Sequence, residues 1–156
     1  MYGKKTYLML DECHRWNKAQ SDSVLAGIEQ GYIVFIGSTT ENPFISMTRA
    51  IVSRCRIFEF KKLNSQDIKQ ALNKALSDKE NGLGNYEIKI TDEALNHIVW
   101  ASDGDLRTAY NALELAVVTT QPDSQGKIII NKNIAEESIQ KKALSIDESM
   151  YYDMLS

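Results

Sequence analysis

Two short apolar runs separated by an amphipathic stretch shape the N-terminal part of the chain. Residues 7–10 (Tyr-Leu-Met-Leu) and 33–36 (Ile-Val-Phe-Ile) are continuously apolar, which is typical of short strands buried in a parallel sheet. Between them, Asn17 is a candidate helix N-cap, residues 24, 25 and 28 are apolar at helical spacing, and Gly31 is a candidate stop. The pattern predicts a strand, a crossover helix and a second strand, the unit from which parallel sheets are built.

The pattern becomes mainly helical after residue 63. Before that point Asn42-Pro43 breaks the chain, and a short helix near 51–54 followed by a strand over 57–60 is predicted. Apolar residues then recur at 68, 72 and 76 behind a cap at Asn64 or Ser65, which indicates an amphipathic helix.

Further helices are expected behind Thr91, after Asp103-Gly104-Asp105 and over 133–140, with a short extended piece over 127–131. We therefore predict an α/β fold class. Part of a parallel sheet occupies residues 1–62, a small all-α domain occupies residues 63–140, and a linker follows over 141–156.

Composition narrows the class of protein but not its activity. With 43% hydrophobic and 25% charged residues, the chain is an ordinary soluble globular protein, and its apolar runs are too short for a membrane span. No secretory leader is visible, so we expect a cytoplasmic protein with Cys13 and Cys55 as free thiols. The net charge of −3 excludes a broad basic nucleic-acid footprint, so any DNA contact is local or made by other parts of the protein.

The acids directly after the first strand, Asp11 and Glu12, are the strongest sign of chemistry. Unpaired charge at a buried strand end is costly, so adjacent carboxylates there need a cation or a chemical task. In P-loop NTPases an acid at such a strand end holds Mg²⁺ while a neighbouring group orients the attacking water. Asp11 fits the first role and Glu12 the second. The alternative is a strand that simply reaches solvent and ends in a charged turn.

A polar turn, Gly37-Ser38-Thr39-Thr40, follows the second strand. Because ligands of parallel sheets lie at the carboxyl ends of the strands, Asp11 and Thr40 are expected to meet one ligand. Alternatively, Thr40 merely ends a strand and Asn42 merely starts a turn with Pro43.

Two arginines stand where clamp-loader-type ATPases carry phosphate-contacting arginines. Arg54 precedes the predicted strand over 57–60, and Arg107 opens a helix of the helical domain. The planar, permanently charged guanidinium stabilises charge on a γ-phosphate, and when a neighbouring subunit supplies it, assembly controls hydrolysis. The alternatives are an ordinary surface cation for Arg54 and a first-turn salt bridge to Asp103 or Asp105 for Arg107.

The tetrad Asp11-Glu12-Cys13-His14 also matches the second motif of DExH-type helicases. A helicase needs a second α/β lobe, whereas here a helical domain is predicted. His14 could tune the neighbouring acid or couple it to DNA, although a lone histidine is more often a hydrogen-bonded structural residue. Adjacent residues such as Cys13 and His14 rarely converge on one zinc ion.

Four segments of the chain, taken together and in this order, closely resemble the replication-associated recombination protein A family of bacterial AAA+ ATPases. That family is related to the Werner-helicase-interacting protein. The four segments are 11–18 (DECHRWNK), 37–43 (GSTTENP), 53–54 (SR) and 104–107 (GDLR). The resemblance implies the AAA+ fold, with its parallel sheet and helical lid, and a Walker B motif over 8–12. It also implies that Asp11 binds Mg²⁺, Glu12 is catalytic, Thr40 is sensor 1 with Asn42 nearby, Arg54 is an arginine finger and Arg107 is sensor 2.

The resemblance further implies ATP and Mg²⁺ as cofactors, and DNA at stalled forks or single-strand/duplex junctions as a partner. Single-stranded-DNA-binding protein, a homo-oligomer that is tetrameric at full length, and a nucleoid-associated location are implied as well. The alternatives are a clamp-loader subunit, a Holliday-junction branch-migration ATPase, or a non-catalytic assembly module.

The chain departs from the family in one respect: it contains no Gly-x-x-x-x-Gly-Lys-Ser/Thr phosphate loop. Residues 3–6 (GKKT) lack the first glycine and run into a strand, where the phosphate loop requires a helix N-terminus. We expect a middle fragment of a longer ATPase that binds nucleotide weakly or not at all by itself. Residues 150–155 (MYYDML) resemble the first helix of the family's oligomerisation region.

Overall fold

The computed structural model of the protein describes residues 5–139. The chain divides into two compact units, Met1–Phe60 and Lys61–Ser156. Several expectations fall outside the described residues: those for the linker over 141–156, for the oligomerisation helix over 150–155, and for the first two residues of the segment 3–6.

The first unit is built on the predicted strand, helix, strand arrangement. Strand β1 (Thr6–Leu10) leads through a tight 3₁₀ turn (Cys13–Arg15) into helix α1 (Lys18–Glu29), and strand β2 (Ile33–Gly37) follows. The strands pair in parallel, with Thr6 opposite Ile33 and Leu10 opposite Gly37. Two short helices complete the unit, α2 (Pro43–Ser46) and α3 (Arg49–Val52).

Helix α1 begins where the sequence predicts. The Asn17 side chain accepts a hydrogen bond from the backbone N–H of Gln20 at 2.9 Å, and the Gln20 side chain accepts one from the Asn17 N–H at 3.0 Å. This reciprocal pair satisfies two N–H groups that the first helical turn would otherwise leave without partners.

Two expectations for this unit are wrong. Residues 57–60 form no strand, and Phe58 and Phe60 are 73% and 95% exposed. Strand β1 is also not fully buried, because Tyr7 and Met9 are 63% and 76% exposed. Both corrections have the same physical reason. A strand is formed and buried by the strands and helices beside it, and within the described residues the first sheet has two strands. A two-stranded sheet leaves strand edges unpaired and side chains exposed.

The second unit is mainly helical. It contains α4 (Ser65–Ser77), α5 (Asp92–Ala101), α6 (Leu106–Thr119) and α7 (Lys132–Ser138). A polar side chain caps each of these helices at its N-terminus: Asn64, Thr91, Asp105 and Asn131. The apolar faces of the helices pack into one core around fully buried Ile68, Leu72, Ile98 and Leu113.

This unit is not purely helical, which corrects the expectation of an all-α domain. Strands β3 (Ile88–Ile90) and β4 (Ile128–Ile130) pair in parallel. Ile128 and Ile130 are 5% and 0% exposed, so the alternate residues of β4 join the helical core. Strand β4 lies within the extended piece expected over 127–131, whereas β3 is not predicted, because a three-residue strand is too short for an apolar period to reveal it.

Among the described residues, none of the helices combines the length and the apolar character needed to cross a bilayer.

Candidate functional site

The carboxyl ends of β1 and β2 are joined by backbone hydrogen bonds. The Ser38 N–H donates to the Leu10 carbonyl at 2.9 Å, and the Cys13 N–H donates to the Ser38 carbonyl at 2.9 Å. Asp11 and Glu12 therefore follow β1 directly beside the turn that follows β2, at the edge where parallel sheets place their ligands.

The Asp11 carboxylate is exposed and fixed from two sides. Its Oδ1 accepts a hydrogen bond from the Ser38 hydroxyl at 2.5 Å and another from the Glu12 N–H at 3.1 Å. Within the described residues, no three His, Cys, Asp or Glu side chains are grouped to hold a metal ion. Mg²⁺ typically needs only one or two protein carboxylates, with water and substrate phosphates as its other ligands. The hard oxygens of Asp11 and Ser38 fit that requirement.

Glu12 has an unusual backbone conformation. Its φ and ψ are 52° and 45°, in the left-handed region, where a residue with a Cβ pays about 1–2 kcal/mol. It directly precedes the Cys13–Arg15 turn, and its carbonyl accepts a hydrogen bond from the Arg15 N–H at 3.0 Å. Strain of this kind concentrates at functional sites, where the surrounding structure holds it in place.

His14 links the two strand ends through its ring. Its Nδ1 lies 2.9 Å from Thr39 Oγ1 and 3.3 Å from Glu12 Oε2, while its Nε2 lies 3.7 Å from Glu41 Oε1. The Thr39 hydroxyl oxygen also accepts a hydrogen bond from the Glu41 N–H at 3.0 Å. One imidazole thus contacts the acid after β1 and the turn after β2.

Thr40 and Asn42 occupy different surroundings on this turn. Thr40 is exposed, whereas its neighbour Thr39 is half-buried and makes the contact with His14. The Asn42 side chain accepts a hydrogen bond from the Phe44 N–H at 3.0 Å and caps α2, with Pro43 in the first turn. In this conformation the Asn42 amide is engaged in local structure.

The Arg54 side chain is held by two residues of the first unit. Its Nη2 forms an ion pair with the Glu29 carboxylate at the end of α1. Its Nη1 donates to the Ala50 carbonyl at 2.8 Å. The side chain is 38% exposed, so the guanidinium is positioned by its neighbours and is still accessible to solvent.

Arg107 lies in the second unit, in the first turn of α6, and is exposed. The loop before it contains two successive left-handed residues, Asp103 and Gly104, with φ values of 49° and 79°. Asp103 accepts from Lys62 Nζ at 2.6 Å, and Asp105 caps the helix by accepting from the Arg107 N–H at 2.9 Å. Asp103 thus pairs with Lys62, and Asp105 accepts from the backbone at the start of α6.

The two cysteines are free thiols. Cys13 is 2% exposed, and its sulfur lies 3.5 Å from the Met47 sulfur. Burial raises the pKa of both the Cys13 and the Cys55 thiol. Because the thiolate is the nucleophile and the metal-binding form, these surroundings suit structural cysteines.

The structure thus groups Asp11, Glu12 and His14 with the Ser38–Thr39 turn, and it pairs Arg54 with Glu29 instead. The sequence pattern did not single out Ser38 or Glu29. Ser38 could have been found, because parallel pairing places the residues after two adjacent strands side by side. The Glu29 contact depends on how α1 and α3 pack, and no local pattern encodes it.

Two bacterial proteins are similar to the chain over nearly its whole length. The chain is 46% identical over 151 residues to replication-associated recombination protein A of Bacillus subtilis, covering 96% of the chain and 36% of that protein. It is 37% identical over 156 residues to the Escherichia coli protein of the same name, covering 99% and 35%. The AAA C-terminal domain family matches residues 84–156. Over nearly its whole length the chain is thus similar to replication-associated recombination protein A of these two bacteria.

A eukaryotic protein is also similar: ATPase WRNIP1 of Dictyostelium discoideum is 30% identical over 172 residues, covering 99% of the chain and 20% of that protein. Among solved structures, the Thermotoga maritima RuvB Holliday junction branch migration motor superposes with a TM-score of 0.65 at 24% identity, covering 85% of the chain and 43% of that protein. This likeness confirms the predicted fold, that of the C-terminal region of an AAA+ protein. The chain spans about a third of the length of the bacterial family members, at 36% and 35%.

Proposed function

We propose that this chain supplies the second half of an AAA+ ATP-hydrolysis site, in which a phosphate loop elsewhere in the full-length protein completes the nucleotide pocket. The observation that carries the proposal is the placement of Asp11 and Glu12 at the end of β1, beside the turn at the end of β2. Asp11 accepts a hydrogen bond from Ser38, and Glu12 lies against the His14 ring, which contacts Thr39. Two carboxylates and two hydroxyl-bearing residues at one strand edge suit phosphate chemistry.

The proposed roles follow from chemistry and position. Asp11 holds Mg²⁺ through its carboxylate, and the ion when bound neutralises charge on the nucleotide phosphates. Glu12 accepts a hydrogen bond from the attacking water and polarises it. Thr40, an exposed threonine of the turn, contacts the γ-phosphate, with Asn42 shaping the turn behind it.

The two arginines are proposed to complete the site from different places. Arg107 contacts the nucleotide held by its own subunit, and Arg54 contacts the nucleotide of a neighbouring subunit. An arginine that lies on the accessible surface and is oriented by Glu29 and Ala50 suits delivery in trans, because its charge reaches the phosphate only after subunits assemble.

For the whole protein we propose an oligomeric, DNA-dependent ATPase of replication and recombination, acting at forks or single-strand/duplex junctions. The proposal rests on the similarity to the two bacterial proteins named replication-associated recombination protein A. Single-stranded-DNA-binding protein is the proposed partner, and a tetramer at the nucleoid in the cytoplasm is the proposed form. The chain without its phosphate loop is proposed to be inactive.

The test is ATP turnover of the full-length protein as a function of Mg²⁺ concentration, with Asp11→Asn as the variant. Asp22→Asn is the matched control, because Asp22 is an exposed aspartate on α1 of the same unit. We expect Asp11→Asn to lose most of its turnover and to need more Mg²⁺ for its half-maximal rate, and Asp22→Asn to behave as the parent. Unchanged turnover in Asp11→Asn contradicts the proposal.

The same preparation separates the alternative functions. A clamp loader places a sliding clamp on DNA when ATP is added, and a branch-migration motor moves a Holliday junction, whereas the proposed protein does neither. A parent protein that assembles but never hydrolyses ATP, with or without DNA, identifies a non-catalytic assembly module.

A further inference from the structure

We infer that His14 is the positioning residue that holds the Glu12 carboxylate for hydrolysis and ties it to the turn after β2. The inference rests on the proposed function, because it assigns a task to a residue beside the proposed catalytic acid. It goes beyond that function by naming a group that touches neither nucleotide nor metal.

Three side chains contact the nitrogens of the His14 ring. Nδ1 faces both Thr39 Oγ1 at 2.9 Å and Glu12 Oε2 at 3.3 Å, and Nε2 faces Glu41 Oε1 at 3.7 Å. The side chain is only 13% exposed, whereas that of Glu12 is 36% exposed. The imidazole is therefore the fixed member of the pair, and the carboxylate is the member that needs fixing.

Hydrogen-bond chemistry assigns the proton. An ionised carboxylate only accepts hydrogen bonds, so the hydrogen between His14 and Glu12 belongs to Nδ1. A hydroxyl oxygen has two lone pairs, and Thr39 Oγ1 uses one of them for the Glu41 N–H, which leaves the other for Nδ1–H. Nδ1–H of His14 thus faces Glu12 and Thr39 together.

Holding one oxygen of Glu12 has a direct consequence for the proposed reaction. With Oε2 facing the imidazole, Oε1 is left to accept from water in a fixed direction. The left-handed backbone at Glu12 fixes the direction in which the side chain leaves the main chain, and the contact with His14 fixes the position of its carboxylate. A misplacement of about 1 Å in such a group can cost about 100-fold in rate.

The same ring makes the turn and the acid move together. Thr39 immediately precedes Thr40, the proposed γ-phosphate contact. A shift of the turn when phosphate binds changes the Thr39 contact of Nδ1 and, through it, the contact between Nδ1 and Glu12 Oε2. His14 therefore couples phosphate contact at the turn to the orientation of the catalytic acid.

The test compares three substitutions of His14 in the full-length protein, with kcat and the KM for ATP measured separately. Asn places an amide nitrogen close to where Nδ1 of histidine lies, whereas Gln reaches the position of Nε2 and Ala reaches neither. We expect His14→Asn to keep kcat within about threefold of the parent, and His14→Gln and His14→Ala to lower kcat by about 10- to 100-fold. The KM for ATP stays within about twofold in all three, because the group positions an acid and does not bind nucleotide.

His97 provides the matched control, since it is the other histidine of the chain and lies on α5 in the second unit, against the Trp100 ring. The same three substitutions at His97 leave kcat unchanged. Thermal unfolding of each variant identifies any that fail to fold, and if His14→Ala is among them, the comparison of Asn with Gln decides.

Equal loss in His14→Asn and His14→Gln, or full kcat in His14→Ala, overturns the inference. The proposed function is tested apart from it by Glu12→Gln. Lost turnover in Glu12→Gln beside full kcat in His14→Ala refutes the role of His14 alone, whereas full turnover in Glu12→Gln refutes both.

Discussion

Ser38 and Asp11 are 27 positions apart in sequence, and the Ser38 hydroxyl donates a hydrogen bond to Asp11 Oδ1 at the carboxyl ends of two parallel strands. The contact fixes one oxygen of the carboxylate proposed to hold Mg²⁺. Carboxylates that bind metal are commonly oriented by such neighbouring donors, and loss of the donor weakens metal binding.

Replacing Ser38 with Ala should therefore raise the Mg²⁺ concentration needed for half-maximal ATP turnover of the full-length protein by about tenfold. Ser23→Ala is the control, since the Ser23 hydroxyl donates only a local hydrogen bond, to the Gln20 carbonyl within α1, at 2.6 Å. An unchanged Mg²⁺ requirement in Ser38→Ala would show that the hydrogen bond does not orient a metal ligand.

Variants of Arg54 and Glu12 should restore each other's ATP turnover when their subunits are mixed in one oligomer. Arg54→Ala and Glu12→Gln proteins are each expected to be inactive alone, because every site lacks one group. In a randomly mixed oligomer, a site keeps its own Glu12 and receives an intact Arg54 from its neighbour in roughly a quarter of cases, so ATP turnover of the mixture should rise to about that fraction of the parent.

The control mixture combines Asp11→Asn with Glu12→Gln. Both changes damage the same half of the site, so no mixed pair restores it and turnover should stay at the level of the single variants. Failure of the Arg54→Ala mixture to exceed this control would remove the assignment of Arg54 as an arginine that acts in trans.

Substitutions of Gly104 and Gly126 distinguish the cost of backbone strain from the cost of close packing. Both have positive φ, 79° and 82°, so a Cβ at either position costs about 1–2 kcal/mol of unfolding free energy. A Cβ on Gly104 would also lie 2.8 Å from the Leu63 carbonyl oxygen, whereas one on Gly126 meets nothing within 4 Å.

We expect Gly126→Ala to lose about 1 kcal/mol in urea unfolding and Gly104→Ala to lose about 1–3 kcal/mol more, because overpacking adds to the strain. Equal losses would mean that the loop before Arg107 does not approach Leu63 closely.

Acid should remove the stabilisation contributed by Asp78 and Asp123. Backbone N–H groups, chiefly those of Asn81 and Lys127 respectively, donate to these carboxylates and hold both pKa values below the ordinary value of 3.8. A lowered pKa in the folded state stabilises the fold above the unfolded-state pKa, and that stabilisation is lost as the pH falls through the folded-state pKa.

The prediction is that Asp78→Asn and Asp123→Asn are less stable than the parent at pH 7, and that the difference shrinks steadily below about pH 4. Urea unfolding at pH 7, 5, 4 and 3 measures it. A difference that stays constant over this range would contradict the assigned hydrogen bonds.

Much of the fold could be predicted from the sequence because local chemistry encodes it. The caps at Asn17, Asn64 and Thr91 define helix starts by pairing with backbone N–H groups of the first turn, and the two apolar runs identified β1 and β2. Residues 57–60 have a strand-like composition, yet they form no strand, since strands depend on partners that local sequence does not specify.

The site was predictable in outline and not in its contacts. Asp11 and Glu12 stood out because two acids end an apolar run, and strand pairing brought the following turn beside them. The left-handed backbone of Glu12, the His14 bridge and the Arg54–Glu29 pair depend on how loops close in three dimensions, so no spacing rule reveals them.

The most direct test of the central claim is ATP hydrolysis and ATP binding by the full-length protein carrying Glu12→Gln. The amide keeps the shape of the side chain but cannot act as the base, so nucleotide binding should be retained while kcat falls by about 100-fold or more. Hydrolysis at the full parental rate would contradict the assignment of Glu12 and Asp11 to an ATP-hydrolysis site.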